Sequence, residues 1–155
     1  MRVLIVDDEP DLASVTARLV GAWGHEVATE HSGRTGLERQ KTWNADLVLL
    51  DIGLPDLSGL EVLAELHRIS PDTTVIMLTG QHDPRLAVQA VRLGAQDYLT
   101  KPAVPEELHL LLDKADEAAR TRRELQSLRE STNKNYLYLQ NPQMREVYAA
   151  ISKVA

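Results

Sequence analysis

The sequence predicts an α/β fold, a doubly wound parallel sheet over roughly residues 1–120. Apolar runs without polar alternation, such as Val3–Val6, Leu47–Leu50 and Val75–Leu78, belong to strands covered on both faces. Helical apolar spacing separates one run from the next, and that alternation makes the sheet parallel with right-handed crossovers. At 155 residues the chain has length for one such domain and something small beside it.

Val3–Val6 reads as the first strand, and Leu12, Val15, Leu19 and Val20 form one helical face ending at Gly21 and Gly24. Val27–Thr29 supplies a short second strand, followed by a polar helix around Thr35–Thr42. Leu47–Leu50 is the third strand; Leu60, Leu63, Ala64 and Leu66 then mark a helix opened by Ser58. Val75–Leu78 is the fourth strand, and Leu86, Val88, Ala90, Val91 and Leu93 give a helix ending at Gly94. Asp97–Leu99 is the fifth strand, and a long helix starts after Pro105. In folds of this kind the site lies beyond the carboxyl ends of the strands.

Composition removes several function classes. The chain has no cysteine, which excludes disulfides and thiolate metal sites. No apolar run reaches membrane-spanning length, and the amino terminus lacks a signal-peptide pattern, so a cytoplasmic protein with no membrane partner is expected. Residues 1–104 hold 15 acidic against 9 basic side chains, whereas residues 105–155 hold 8 of each. An acidic front half argues against direct nucleic-acid binding, which needs Lys and Arg for phosphate contacts. The acidity is local.

From Glu106 to about Glu130 there is no Gly or Pro, and helix formers dominate. Leu108, Leu111, Ala115, Ala118 and Leu125 sit at steps of three and four, interrupted by Arg122; Thr121, Leu125 and Leu128 carry a second, offset seam. A solvated terminal helix fits this pattern. A short coiled-coil dimer through Leu111, Ala115, Ala118, Leu125 and Leu128 fits it better and is the expectation. Ser131–Asn135 is expected to break the helix, residues 131–141 to run extended, and 142–155 to form a final amphipathic helix.

Polar residues cluster at the predicted strand ends. The first strand ends in Asp7-Asp8-Glu9, the third in Asp51, the fourth in Thr79-Gly80 and the fifth in Thr100-Lys101-Pro102. Each alone has a bland explanation as a helix cap or a turn. Together they do not, because capping needs no carboxylate cluster with a hydroxyl and a lysine on one sheet edge. A single chemistry accounts for them all. Magnesium takes carboxylates, waters and a phosphoryl oxygen as ligands, and Asp7, Asp8 and Asp51 would supply that charge. A carboxylate beside the metal can attack phosphorus and carry the group as an acyl phosphate. Lys101 offers a cation for the phosphoryl oxygens, and Thr79 a hydroxyl donor.

The set Asp7-Asp8, Asp51 in "LVLLDIGLPDLSGLEVL", Thr79 in "VIMLTG" and Lys101 in "AQDYLTKP" resembles the receiver domain of two-component response regulators. The resemblance covers about residues 1–120. It implies a flavodoxin-like sheet of order 2-1-3-4-5, phosphorylation of Asp51 by a sensor histidine kinase, and Mg2+ as cofactor. It further implies that Asp8, Asp51 and the Gly53 carbonyl bind the ion directly, with Asp7 acting through a water. Lys101 would pair with the phosphoryl group, and Lys101-Pro102 would be a cis peptide. Thr79 and Tyr98 match the family's switch pair, in which the hydroxyl turns toward the phosphoryl group and the ring swings inward behind it. A half-buried strand aromatic with its hydroxyl in water is the plain alternative for Tyr98.

"NPQMREVYAAISKVA" resembles the opening helix of the AAA+ module in sigma-54-dependent transcriptional activators of the NtrC/DctD type. No glycine follows Gly94, so a Walker A loop cannot occur in this tail. The expectation is a regulatory piece: receiver, dimerising linker helix and first helix of a truncated output domain. Sigma-54 RNA polymerase and DNA would be reached only through output domains the chain lacks. A receiver serving another output domain, an aspartate-dependent phosphatase and a flavin carrier are the rivals. Such phosphatases place a second acid two residues after the nucleophile, where this chain has Gly53, and no phosphate loop for a flavin follows the first strand.

Overall fold

The computed structural model describes residues 1–80 and 83–139, with side chains through residue 131. The strands are β1 (Arg2–Val6), β2 (Glu26–Glu30), β3 (Leu47–Asp51), β4 (Thr74–Thr79) and β5 (Asp97–Thr100). They alternate with α1 (Pro10–Ala22), α2 (Gly33–Trp43), α3 (Gly59–Ile69), α4 (Pro84–Arg92) and α5 (Pro105–Leu139). All four strand pairings are parallel, and the order is β2-β1-β3-β4-β5. This is the flavodoxin-like arrangement.

Successive strand residues point to opposite faces, and they divide the core in two. Leu4, Val6, Val48, Leu50, Val75 and Met77 pack with Val62, Leu63 and Leu66 of α3 and Ala90 of α4. Val3, Ile5, Leu47, Leu49, Ile76 and Leu78 pack with Ala13 and Val20 of α1 and Leu108, Leu112 and Ala115 of α5. Burial on both faces is why these strands read as unbroken apolar runs. Helix starts follow local chemistry. Ser32 accepts from the Thr35 amide to cap α2, and Ser58 and Glu61 form a capping box at α3.

Register sets the site. Val6 is level with Leu50, Asp51 with Leu78, and Thr79 with Thr100. The residues at or just past these positions, Asp7, Asp51, Thr79 and Lys101, therefore share the carboxyl edge of the three central strands and their neighbour.

The structure departs from the sequence reading at several helix faces. Val15 is 60% exposed, and Ala64, Val88, Val91 and Leu93 also face outward. The buried positions are Ala13 and Val20 in α1, Val62, Leu63 and Leu66 in α3, and Ala90 in α4. Val15, Ala64 and Val88 each stand two residues from a buried one. A two-residue step turns a side chain about 200° around the axis, onto the far side.

Two readings of the long helix need correction. Residues 131–139, expected to break and run extended, are helical, since α5 continues to Leu139. Ser, Thr and Asn weaken a helix without stopping it, and no Gly or Pro intervenes. Of the expected dimer seam, Ala115 is buried in the domain's own core and Leu111 packs partly against it. The spacing of three and four in the opening turns of α5 thus serves the sheet. Ala118, Leu125 and Leu128 are exposed. The chain divides into a unit Met1–Asp116 and a second beginning at Glu117. The expected final helix at 142–155 lies outside the described residues. No helix among the described residues is long and apolar enough to cross a membrane.

Candidate functional site

β1 delivers Asp7 to the sheet edge, where its amide donates to the Glu30 carbonyl at 3.0 Å. One Asp7 oxygen, Oδ1, accepts from the Glu9 amide at 3.0 Å, which turns the chain toward α1. Asp51 ends β3 and is 6% exposed; its Oδ1 accepts from the Gly53 amide at 3.2 Å. Asp8 is exposed. Carboxylate oxygens of Asp7, Asp8 and Asp51 all lie within 4.8 Å of one another. Two of these three acids are buried, a costly arrangement unless a cation is shared among them.

Lys101 supplies one. Its Nζ lies 2.9 Å from Asp7 Oδ2, 3.2 Å from Asp51 Oδ2 and 4.0 Å from Glu9 Oε1. The Lys101 amide donates to the Thr79 carbonyl at 2.7 Å, which fixes the strap after β5, and the Lys101-Pro102 peptide is cis. Burial alone would lower the Lys101 pKa. The Asp7 hydrogen bond and the charges of Asp51 and Asp7 outweigh it, and the ammonium is held above its ordinary range.

The donor set fits a hard divalent cation. It offers oxygens only, two from buried acids and one from an exposed acid that leaves room for water, as magnesium prefers. Asp7, Asp8 and Asp51 are the residues that would hold it. Thr79 is buried at the end of β4, one strand over. The Tyr98 hydroxyl is hydrogen-bonded to the Thr79 side chain, and its ring packs partly against the core. Burial raises the Tyr98 pKa, with the Thr79 bond working against that rise.

Four kinds of chemistry thus meet at one sheet edge: clustered acids, a bridging lysine, a hydroxyl and an aromatic partner. The family profile described as "Response regulator receiver domain" matches residues 3–113. The chain belongs to that family. As a receiver, it is a regulatory domain of two-component response regulators. It is 29% identical to the regulatory protein AtoC of Escherichia coli, over 99% of this chain and 34% of AtoC. It is 30% identical to the nitrogen assimilation regulatory protein NtrX of Azorhizobium caulinodans, over 98% of this chain and 34% of that protein. The chain therefore spans about a third of the length of these curated relatives. A crystal structure of NtrX from Brucella abortus aligns with a TM-score of 0.76 at 34% identity, covering 84% of this chain and 30% of that one.

Residues that the sequence reading did not assign to the site also stand around it. Asp56, between Asp51 and α3, accepts three backbone hydrogen bonds, from Gly33, Arg34 and Leu57. His31 Nδ1 lies 2.9 Å from the Asp7 carbonyl oxygen, to which the ring N–H donates. Gly59 sits so close to β3 that a Cβ there would meet Ile52 Cα at 2.4 Å and the Asp51 carbonyl at 2.5 Å. Pro55-Asp56 reads locally as a turn, and nothing nearby in sequence points to the α2 amides. Gly59 beside the Ser58 cap was the one local signal available.

Proposed function

We propose that this receiver accepts a phosphoryl group on Asp51 from a sensor histidine kinase in a Mg2+-dependent reaction. An Asp51 carboxylate oxygen attacks phosphorus in line, the bond from phosphorus to the kinase histidine nitrogen breaks, and the nitrogen keeps the electron pair. The product is an acyl phosphate. Asp8, Asp51 and the Gly53 carbonyl would hold the ion, with Asp7 acting through a water. When bound, the ion would supply positive charge that offsets the acids and the phosphoryl oxygens. Lys101 leaves its contact with Asp51 to pair with a phosphoryl oxygen while keeping its contact with Asp7. Thr79 turns its hydroxyl to the same group, releasing Tyr98. The observation that carries this reading is the Lys101 ammonium bridging Asp7 and Asp51 beside the third acid, Asp8.

The output is regulation of a sigma-54-dependent transcription-activating ATPase of the NtrC type. The likeness to AtoC and NtrX extends over nearly the whole chain, beyond the receiver, and supports this. Ala118, Leu125 and Leu128 form the linker contact between two copies. Leu111 and Ala115, which face the receiver core, do not contribute to it.

Incubation with a small phosphodonor such as acetyl phosphate and Mg2+ tests the chemistry. The protein takes up one hydroxylamine-labile phosphoryl group, and Asp51→Asn takes up none. Label retained in Asp51→Asn would overturn the assignment, and sustained turnover of unrelated phosphomonoesters would make the protein a phosphatase.

A further inference from the structure

The Asp56 carboxylate stands on the amino terminus of α2. Its Oδ1 accepts from the Gly33 amide at 2.8 Å and the Leu57 amide at 2.9 Å, and Oδ2 accepts from the Arg34 amide at 3.0 Å. These bonds, that from Arg34 first, hold the carboxyl below the usual range. The approach is close by construction. A Cβ on Gly33 would meet Val62 Cγ2 at 2.8 Å, Leu57 Cβ at 3.1 Å and Asp56 Oδ1 at 3.2 Å. The same junction reaches the other side of the site, where the Glu30 carbonyl takes the Asp7 amide and His31 bonds the Asp7 carbonyl. The end of β2, the start of α2 and His31 between them therefore touch both chain segments that carry the acids.

We infer that Asp56 is a positioning residue for magnesium: by bonding the first amides of α2 it fixes the loop that carries Gly53 next to Asp51. The strength with which the receiver holds the ion is thus set from outside its ligands. This inference rests on the receiver reading of the site. Residues that orient metal ligands without touching the metal commonly change affinity by about 10–100-fold when replaced.

Calorimetric titration of the whole chain with Mg2+ tests it, together with amide exchange at Gly33 and Arg34. Asp56→Ala weakens Mg2+ binding by roughly ten-fold and speeds exchange at both amides. Asp56→Asn keeps an acceptor oxygen for Gly33 and Leu57 and weakens binding less; it also decides the matter if the alanine variant fails to fold. Ser32→Ala removes the cap of α2 but leaves the Asp56 bonds, and it binds Mg2+ like the unaltered protein. Equal Mg2+ affinity in the Asp56 variants and the unaltered protein would overturn the inference. So would an equal loss in Ser32→Ala, which would trace the effect to helix stability. If the unaltered protein itself binds no Mg2+, the receiver-site reading fails, and this inference fails with it.

Discussion

Lys101 offsets the charge of the acids at the site. Its ammonium contacts Asp7 and Asp51, both buried. Breaking a buried pair by removing one partner leaves an uncompensated charge and costs about 3 kcal/mol or more. Lys101→Met therefore lowers stability in urea by about that amount without divalent ions. Added Mg2+ restores part of the loss, because it binds only the folded site. A variant whose urea midpoint ignores Mg2+ would separate Lys101 from the metal site. In the proposed mechanism Thr79 serves the response instead. Hydrogen bonds to charged groups contribute roughly 1.5–3 kcal/mol each, and inverting a two-state population takes about 5.5 kcal/mol. Two or three new bonds, from Thr79, Lys101 and backbone amides, reach that sum. Thr79→Ala is expected to accept phosphate at Asp51 while the amide spectrum around Tyr98 stays in its resting pattern. A full spectral response in that variant removes Thr79 from the switch.

At the scale of elements, the loop from β3 into α3 is held by backbone packing. Gly59 has no space for a Cβ against Ile52 and Asp51, whereas a Cβ on Gly53 would meet nothing within 4 Å. Gly59→Ala forces the end of β3 and α3 apart and costs about 1–3 kcal/mol or more, while Gly53→Ala leaves the thermal midpoint nearly unchanged. Comparable midpoints for the two variants would contradict the packing. The central strands and the acids were legible because burial on both faces writes an unbroken apolar run, and the first and third runs end at Asp7 and Asp51. Helix faces were less legible. Val15, Val88 and Val91 fit an apolar spacing, yet the small residues Ala13 and Ala90 face the sheet, and composition does not separate the two sets. Asp56 and His31 were not assigned to the site because their partners, Gly33 and Arg34 at the start of α2 and Asp7 just after β1, lie 22 to 24 residues away in the chain. In α5 the spacing of three and four was real, but it described the contact of Leu108, Leu112 and Ala115 with the sheet.

For the whole molecule, the excess acidity falls in residues 1–104, and residues 105–155 are neutral. That distribution places the excess charge in the part of the chain that carries the acid cluster. Leu125 and Leu128 are 49% and 65% exposed on α5, large apolar side chains at steps that favour a helix pair. Light scattering is expected to give a mass of two chains, and a Leu125→Glu, Leu128→Glu double variant a mass of one. A monomeric unaltered chain at high concentration would refute the linker contact while leaving the receiver chemistry intact.

The central claim is that the acids are gathered so that a divalent ion can seat a transferable phosphoryl group on Asp51. A crystal structure grown with Mg2+ and beryllofluoride, a mimic of the phosphoryl group, tests it most directly. The account predicts the beryllium bonded to an Asp51 carboxylate oxygen, its fluorides within reach of Lys101 and Thr79, and the ion between Asp8, Asp51 and the Gly53 carbonyl. Beryllofluoride bound elsewhere, or an ion that leaves Asp8 and Asp51 untouched, would contradict it.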